Sequence, residues 1–423
     1  MVATTNVFRT PVYGQSQAPS PGRVIGANNR IVVGVIGLGG RGNTHAACHL
    51  AVNNVEVGYV CDVDSDRLAA AQKALEGKTG ARATKGVGDL RRILDDKDVD
   101  AISIAAPNYW HAIAAIMGCQ AGKHVYVEKP GSHNPFEAEA LVAAAQKHRR
   151  VVQMGNQRRS IASVREGIQK LHEGVIGRVR FARAWYTNTR PGIGRGKLAP
   201  VPASLDWTLW QGACPERAYK DNIHPYNWHW HWHYGGGELA NNGIHTLDVV
   251  RWGLGVDYPK RVTFNGGRYH FDDDQETPDS CTVVFDFGHC GASWDDSSCQ
   301  PRKGEKLPSV AFYGDKGSML TFGMADYSIV DLKGQEVEKK SSAPGGTDVP
   351  HFQNFADAIR DGKPLNSPIS EGQKSTMLCH LGNIAYRTGH TLNIDQKTGR
   401  ILNDPAAMKL WKREYRPGWE PHV

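Results

Sequence analysis

A glycine-rich run with the spacing Gly-x-Gly-x-x-Gly occupies residues 37–42 of this chain. Glycines at these positions permit a tight turn, a close approach of the backbone to a phosphate, and close packing of the following helix on its strand. A carboxylate at the end of the next strand, here Asp62, accepts hydrogen bonds from the adenosine ribose and repels the 2′-phosphate of NADP. The two features predict NAD binding by Gly37, Leu38, Gly39, Gly40, Arg41, Gly42 and Asp62.

A second segment whose residue types could bind a ligand is the aromatic–histidine stretch at residues 226–234 (YNWHWHWHY). If it were a strand, His229, His231 and His233 would share one face and the tryptophans the other. Three histidines could bind a metal, but no acidic or cysteine partner is obvious, and we assign no metal. Indole faces beside imidazoles suit a sugar, so we predict substrate contacts from His229, Trp230 and His231. Simple packing at a domain interface stays the alternative.

The elements that would position the glycine-rich loop alternate between strand and helix through residues 31–153. Apolar runs predict strands at 31–36, 55–61, 100–105, 124–127 and 151–153, and helical patterns fall at 43–52, 64–76, 90–94, 111–121 and 136–148. Continuous apolar strands separated by helices are typical of a doubly wound parallel sheet. We therefore predict an NAD-binding Rossmann domain over residues 31–153, preceded by an extended arm at residues 1–30.

The pattern changes after residue 154. Six segments are rich in β-formers, most of them alternating, at 179–187, 261–264, 281–287, 291–294, 310–313 and 319–322. Helices are predicted at 160–173, 239–254, 351–360 and 372–386. Strands joined by hairpin-like turns favour an antiparallel or mixed sheet. Residues 154–423 are thus predicted to form a second α/β domain with a large, mainly antiparallel sheet.

Three further segments carry a family resemblance. They are residues 106–111 (APNYWH), 122–130 (GKHVYVEKP) and 235–248 (GGGELANNGIHTLD). With the glycine-rich loop, and in this order and spacing, they resemble the Gfo/Idh/MocA superfamily, which includes glucose–fructose oxidoreductase and inositol dehydrogenase. The resemblance implies a Rossmann domain followed by an α/β domain with a large open sheet. It also implies homo-oligomers, dimers or tetramers, formed through that sheet.

The same resemblance implies roles for individual residues. Lys129 resembles the family's catalytic-site lysine, close to the reacting hydroxyl. Glu128 and the Pro107-Asn108 turn resemble contacts to the nicotinamide half of NAD, and His111 is expected to support that turn.

Weaker candidates complete the expected site. Gln157 is predicted on the cofactor side, and Tyr186 and Arg190 on the substrate side.

The family's second motif pairs an Asp with a His four residues later, and here the chain departs from it. The His is His245, but the Asp position holds Asn241. Residues i and i+4 share a helix face, yet an Asn cannot titrate. We therefore expect His245 and Lys129 to handle the proton and Asn241 to orient substrate. An imidazole titrates near neutrality, and an ammonium stabilises developing alkoxide charge.

These residues predict an NAD-dependent oxidoreductase that acts on a secondary hydroxyl of a sugar or glycoside, with carbon 3 favoured by resemblance. An alternative is a glycosidase that oxidises carbon 3, eliminates the aglycone, adds water and reduces back, with NAD tightly bound. A non-catalytic NAD-binding sensor is a further alternative, supported by Asn241 in place of Asp.

The composition limits the classes of partner that we expect. Lys and Arg number 50 against 43 Asp and Glu in 423 residues, and the basic residues are scattered, so we expect no nucleic acid. No apolar run approaches the ~18–20 residues that span a bilayer. The eight cysteines form no CxxC pair, and Cys290 with Cys299 stays open to pairing. The end of the arm resembles the region after a removed twin-arginine leader, which favours a periplasmic location over a cytoplasmic one.

Overall fold

The structure, a computed structural model, describes residues 30–78, 83–342 and 348–423. Its first sheet has six parallel strands in the order β3-β2-β1-β4-β5-β6, which confirms the doubly wound Rossmann prediction. The strands are β1 Ile31–Ile36, β2 Val55–Cys61, β3 Lys85–Val87, β4 Ala101–Ile104, β5 His124–Val127 and β6 Val152–Met154. The helices are α1 Gly40–Leu50, α2 Ser65–Leu75, α3 Arg91–Leu94, α4 Asn108–Gln120 and α5 Pro135–Lys147.

The second sheet has nine strands in the order β14-β13-β12-β11-β7-β10-β9-β8-β15. Strands β7 and β10 pair in parallel, and the other described pairs are antiparallel, which confirms a mixed, mainly antiparallel sheet. The strands are β7 Val179–Thr187, β8 Arg261–Gly267, β9 Ser280–Asp286, β10 Gly291–Ser297, β11 Val310–Gly314, β12 Gly317–Thr321, β13 Asp326–Asp331, β14 Glu336–Ser341 and β15 Leu392–Asn393. The helices are α6 Ala162–His172, α7 Trp207–Gln211, α8 Ile244–Leu254, α9 Val349–Asp361, α10 Ile369–Thr388 and α11 Pro405–Met408.

Helix α9, late in the chain, packs on the first sheet and not on the second. Phe352 stacks on Tyr126 of β5 with ring centroids 4.3 Å apart, and its edge contacts His45 and His49 of α1. Phe352 and Phe355 are buried in the same apolar cluster as strand β1. The chain therefore returns to complete the core of the N-terminal domain, which ties the two sheets together around the cleft between them.

The aromatic–histidine stretch is not a strand, so the condition under which its three histidines would share one face is not met. Asn227–Trp230 form a 3-10 helix, which turns once every three residues and is followed by turns. His231 faces Glu276, with Nδ1 and Oε1 3.8 Å apart, whereas the ring of His233 contacts the Pro215 carbonyl at 2.9 Å. Across the described ranges, no group of three or more His, Cys, Asp or Glu side chains is placed to hold a metal.

Two further expectations can be compared with the fold. Cys290 and Cys299 flank opposite ends of β10 and are free thiols, so they do not pair. The extended arm was predicted over residues 1–30, and residues 1–29 lie outside the described residues. Of the helices that the structure describes, none combines the length and the apolar character needed to cross a bilayer.

A substitution in the glycine-rich loop tests whether the turn requires glycine at residue 42. A Cβ at residue 42 would lie 1.7 Å from the carbonyl oxygen of Gly37, so any side chain there must open the turn. We expect Gly42→Ala to lower the free energy of unfolding by about 1–3 kcal/mol and to weaken NAD binding. Gly304→Ala is the matched control, because a Cβ there meets no atom within 4 Å. Urea unfolding and NAD titration measure both effects, and equal behaviour of the two variants would contradict the steric argument.

Candidate active site

A cleft of about 470 Å³ opens at the carboxyl ends of the parallel strands. Ligands of doubly wound proteins bind at this edge of the sheet. The first half of the chain lines the cleft with predicted positions: Gly37, Leu38, Gly39, Gly40, Arg41, Asp62, Pro107, Asn108, His111, Glu128 and Lys129. Residues that follow the first sheet in the chain cover it: Leu209, Trp210, His224, Pro225, Tyr226, Trp228, His229 and Asn241.

The loop end of the cleft fits a dinucleotide. Gly37 has a φ of +85°, and a Cβ there would lie 2.7 Å from the Ala105 carbonyl oxygen, so the turn requires glycine. Helix α1 begins at Gly40, and the first N–H groups of a helix, which lack partners within it, attract phosphate. Asp62 accepts hydrogen bonds from the backbone N–H of Leu38 at 2.7 Å and of Asp64 at 2.9 Å. These bonds fix the carboxylate at the cleft, where its remaining lone pairs can accept from ribose hydroxyls.

Glu128 is a buried carboxylate at the centre of the site. Its Oε1 accepts from Arg41 Nε at 2.6 Å and Gln157 Nε2 at 3.0 Å, and lies 3.1 Å from His45 Nε2. Its Oε2 accepts from the backbone N–H of Lys129 at 3.0 Å. Burial alone would raise the pKa of Glu128, but the Arg41 guanidinium and the His45 imidazole hold that pKa well below its usual range.

This network places two predicted cofactor residues differently from expectation. Gln157 is buried, donates to Glu128 and to the Tyr126 hydroxyl, and is not among the residues that line the cleft. Arg41 lines the cleft, but its guanidinium is bonded to Glu128 and, at 2.6 Å, to Asp348. Both therefore hold Glu128 in position. Sequence reasoning missed Asp348, since 307 positions separate it from Arg41.

Lys129 and Asn241 come together as predicted from separate halves of the chain. Lys129 Nζ donates to the backbone carbonyl of Asn241 at 2.6 Å and to its Oδ1 at 3.2 Å. Asn241 lies in a π-helical segment, Leu239–Gly243, that precedes α8, where a uniform α-helix was predicted. The wider turn shifts the local hydrogen-bond pattern, and such π-bulges are frequent at functional sites. Burial lowers the pKa of Lys129 from its ordinary value.

His245, at the start of α8, completes this group. Burial and the neighbouring Lys129 ammonium lower the pKa of His245 well below its usual range, so the ring is neutral at pH 7. The His245 side chain is half-buried and, unlike Lys129 and Asn241, is not among the residues that line the cleft.

His111 supports the expected turn. Its Nδ1 lies 2.6 Å from the Pro130 carbonyl and its Nε2 lies 2.7 Å from the Ala106 carbonyl. The ring thus joins the Pro107-Asn108 turn to the loop that carries Lys129.

Tyr186 and Arg190 form a cluster at the end of β7, and neither is among the residues that line the cleft. Arg190 donates to the Tyr186 hydroxyl at 3.2 Å, forms a short ion pair with Glu238, and lies 4.8 Å above the Trp230 ring. Trp230 is buried under this guanidinium, and His231 faces away toward Glu276. Sequence reasoning missed Glu238, although it precedes Asn241 by three positions in the same glycine-rich motif.

Comparison with known proteins agrees with this geometry. Residues 31–156 match the model described as "Oxidoreductase family, NAD-binding Rossmann fold", and residues 185–421 match "Oxidoreductase family, C-terminal alpha/beta domain". The chain belongs to the Gfo/Idh/MocA oxidoreductase family, and its N-terminal domain is that family's NAD-binding domain.

Individual relatives are distant. A "Glycosyl hydrolase family 109 protein" of Saccharopolyspora erythraea is 32% identical over 185 residues, which cover 41% of this chain and 40% of that protein. The "D-glucoside 3-dehydrogenase" of Escherichia coli is 23% identical over 85% of this chain and 95% of its own length. The structure of the WlbA dehydrogenase from Bordetella pertussis with NADH and UDP-GlcNAcA aligns with a TM-score of 0.66 and 20% identity over 86% of this chain and 99% of that one. This likeness concerns the fold.

The Glu128 network has a testable pH signature. Glu128→Gln leaves the Arg41 and His45 donors without a carboxylate, and we expect it to lower the free energy of unfolding by about 2 kcal/mol at pH 7. The folded-state pKa of Glu128 is depressed, so the charge stabilises the protein above the unfolded-state pKa and stops doing so as pH falls through the folded value.

The difference between wild type and Glu128→Gln should therefore shrink below about pH 4. Urea unfolding across pH measures it, with the exposed Glu76→Gln as control. A difference that grows on acidification would contradict this account.

Proposed function

We propose that the protein is an NAD-dependent oxidoreductase that acts on a secondary hydroxyl of a sugar or glycoside, with carbon 3 as the target. The observation that carries the proposal is the placement of Lys129 Nζ: half-buried, held by Asn241 at 2.6 Å, and in one continuous cleft with the glycine-rich loop. The names of the two relatives above support a saccharide substrate, and one of them specifies position 3.

When bound, NAD supplies the hydride acceptor for the carbon that is oxidised. The chain must then position the hydroxyl and remove its proton. We assign the hydroxyl to the space between Lys129 and His245, because burial lowers the pKa of both side chains and so favours their uncharged, proton-accepting forms. Asn241 orients Lys129 through its carbonyl oxygens. Glu128, Pro107, Asn108 and His111 would hold the nicotinamide half, and Asp62 the adenosine ribose.

One specific observation favours the glycosidase alternative: residues that follow the first sheet in the chain lie over the cleft. Ser65 donates its N–H to the Ser204 carbonyl at 2.8 Å, and Asp206 donates to the Val63 carbonyl at 2.9 Å. These bonds hold the segment at residues 204–206 beside Asp62, and Trp210, shortly after it, lines the cleft. A covered cleft favours retention of NAD, which a redox-neutral reaction requires.

One assay separates these activities. Incubated with nitrophenyl glycosides and added NAD, the dehydrogenase should form NADH in proportion to substrate, whereas the glycosidase should release nitrophenol continuously without added NAD and without net NADH. Lys129→Met should reduce either rate by about 10²–10⁴-fold, with NAD binding retained. Lys73→Met, exposed on α2, is the control. Turnover of no glycoside in a broad panel, with NAD bound, would contradict both and favour the sensor.

Replacing Asn241 by Asp tests whether Lys129 accepts the proton of the substrate hydroxyl. The carboxylate of Asn241→Asp would lie beside Lys129 Nζ and raise the pKa of Lys129, which burial lowers in the wild type. Because a base must be deprotonated to act, we expect the rise of kcat/KM with pH to move to higher pH. Asn241→Ser, which adds no charge, should not shift the profile upward. A shift of the Asp variant toward lower pH would refute the assignment.

We also propose that the protein forms homo-oligomers through the nine-stranded sheet. Helices α6, α8 and α10 contact one face of this sheet. The opposite face carries Val284 and Tyr313, which are 38% and 36% exposed. Covering such apolar side chains would stabilise a dimer.

A further inference from the structure

His229 has a defined tautomer. Its Nδ1 lies 2.7 Å from the backbone carbonyl oxygen of Tyr226. A carbonyl oxygen can only accept, so the ring proton must be on Nδ1. In the neutral ring, Nε2 is therefore an unprotonated acceptor. This is how a partner on one ring nitrogen fixes the chemistry of the other.

The ring is also fixed in place. It stacks on Trp228 with centroids 3.6 Å apart, and Tyr226 and Trp230 lie 4.5 Å and 5.6 Å away. His229 lines the same cleft as Lys129 and Asn241, and its Nε2 has no hydrogen-bond partner among the described residues. The cleft thus contains a rigid hydrogen-bond acceptor close to the lysine expected to meet the reacting hydroxyl.

The surroundings keep this imidazole uncharged. Burial, opposed by the Tyr226 carbonyl and reinforced by repulsion from the nearby Lys129, Arg190 and His111, lowers the pKa of His229 to about 3. The ring is therefore a hydrogen-bond acceptor of constant charge through the whole neutral pH range. His245 differs, since no carbonyl bond fixes its tautomer.

We propose that His229 is a specificity-determining residue whose Nε2 accepts a hydrogen bond from a second hydroxyl of the substrate, distinct from the one oxidised. The site would then select polyhydroxylated substrates over simple alcohols, because an alcohol without that hydroxyl leaves the acceptor unpaired. This inference rests on the proposed function and adds a residue and a substrate feature to it.

The tautomer can be tested without turnover. In protein labelled with ¹⁵N-histidine, a signal absent from His229→Phe should show a protonated Nδ1 and an unprotonated Nε2, unchanged from pH 5.5 to pH 8. Saturating sugar should shift the Nε2 signal upfield, as expected when it accepts a hydrogen bond, whereas cyclohexanol should not. A protonated Nε2, titration within this range, or an equal response to both ligands would overturn the proposal, even if no sugar is oxidised.

Kinetics test the same point during turnover. His229→Phe keeps an aromatic ring on Trp228 but has no acceptor, and it should raise KM by about 10–100-fold with a smaller effect on kcat. His229→Gln, which offers an amide oxygen, should recover part of the loss. NAD affinity should stay unchanged in both, and the exposed His270→Phe should match wild type.

Deoxy sugars complete the design. Removal of the one sugar hydroxyl that donates to His229 should raise the wild-type KM as much as His229→Phe does. The same deoxy sugar should raise the KM of the His229→Phe variant little further. A collapse of kcat at constant KM would instead make His229 the proton acceptor and overturn the proposal. The proposal would also be overturned if every deoxy sugar raised KM by the same factor in His229→Phe as in wild type. If the wild type oxidises no sugar, the proposed function fails, and the NMR experiment still decides the role of His229.

Discussion

The buried carboxylate of Glu128 is the constraint on which the rest of the site depends. Through Arg41 and His45 it holds the glycine-rich loop and helix α1, and through Gln157 it holds the end of β6. It also accepts from the backbone of Lys129, the residue that reaches Asn241 in the other half of the chain. A buried charge is tolerated only when its hydrogen-bond partners are all in place. Folding of the N-terminal domain therefore sets the position of Lys129.

Sequence patterns predicted the elements whose signals are local. The apolar runs of β1, β2, β4 and β5 are buried on both faces, and the glycines report steric limits within one turn. Short edge strands such as β3 were missed because three residues carry too little pattern. The segment at 226–234 misled because its alternation fits a strand, whereas its backbone turns every three residues and each histidine finds a different partner. The Arg41–Asp348 and Arg190–Glu238 pairs depend on the tertiary fold alone.

The π-helical turn at Leu239–Gly243 carries Asn241, at the position where the resemblance led us to expect Asp. In this arrangement Lys129 is bonded to a backbone carbonyl, which carries partial charge but no proton to exchange. Lys129 then lacks a carboxylate at this position, and burial lowers its pKa without opposition from residue 241. The absence of a carboxylate at position 241 thus affects the pKa of Lys129.

The packing of α9 on the first sheet has a consequence for biosynthesis. Phe352 stacks on Tyr126, and Asp348 pairs with Arg41, so residues near position 350 complete a core that begins at residue 31. A ribosome must translate more than three-quarters of the chain before this helix is available. Until then, Tyr126 lacks its stacking partner Phe352, and Arg41 lacks one of its two carboxylate partners. The N-terminal domain therefore matures late, and chaperone binding to this incomplete core would be expected during synthesis.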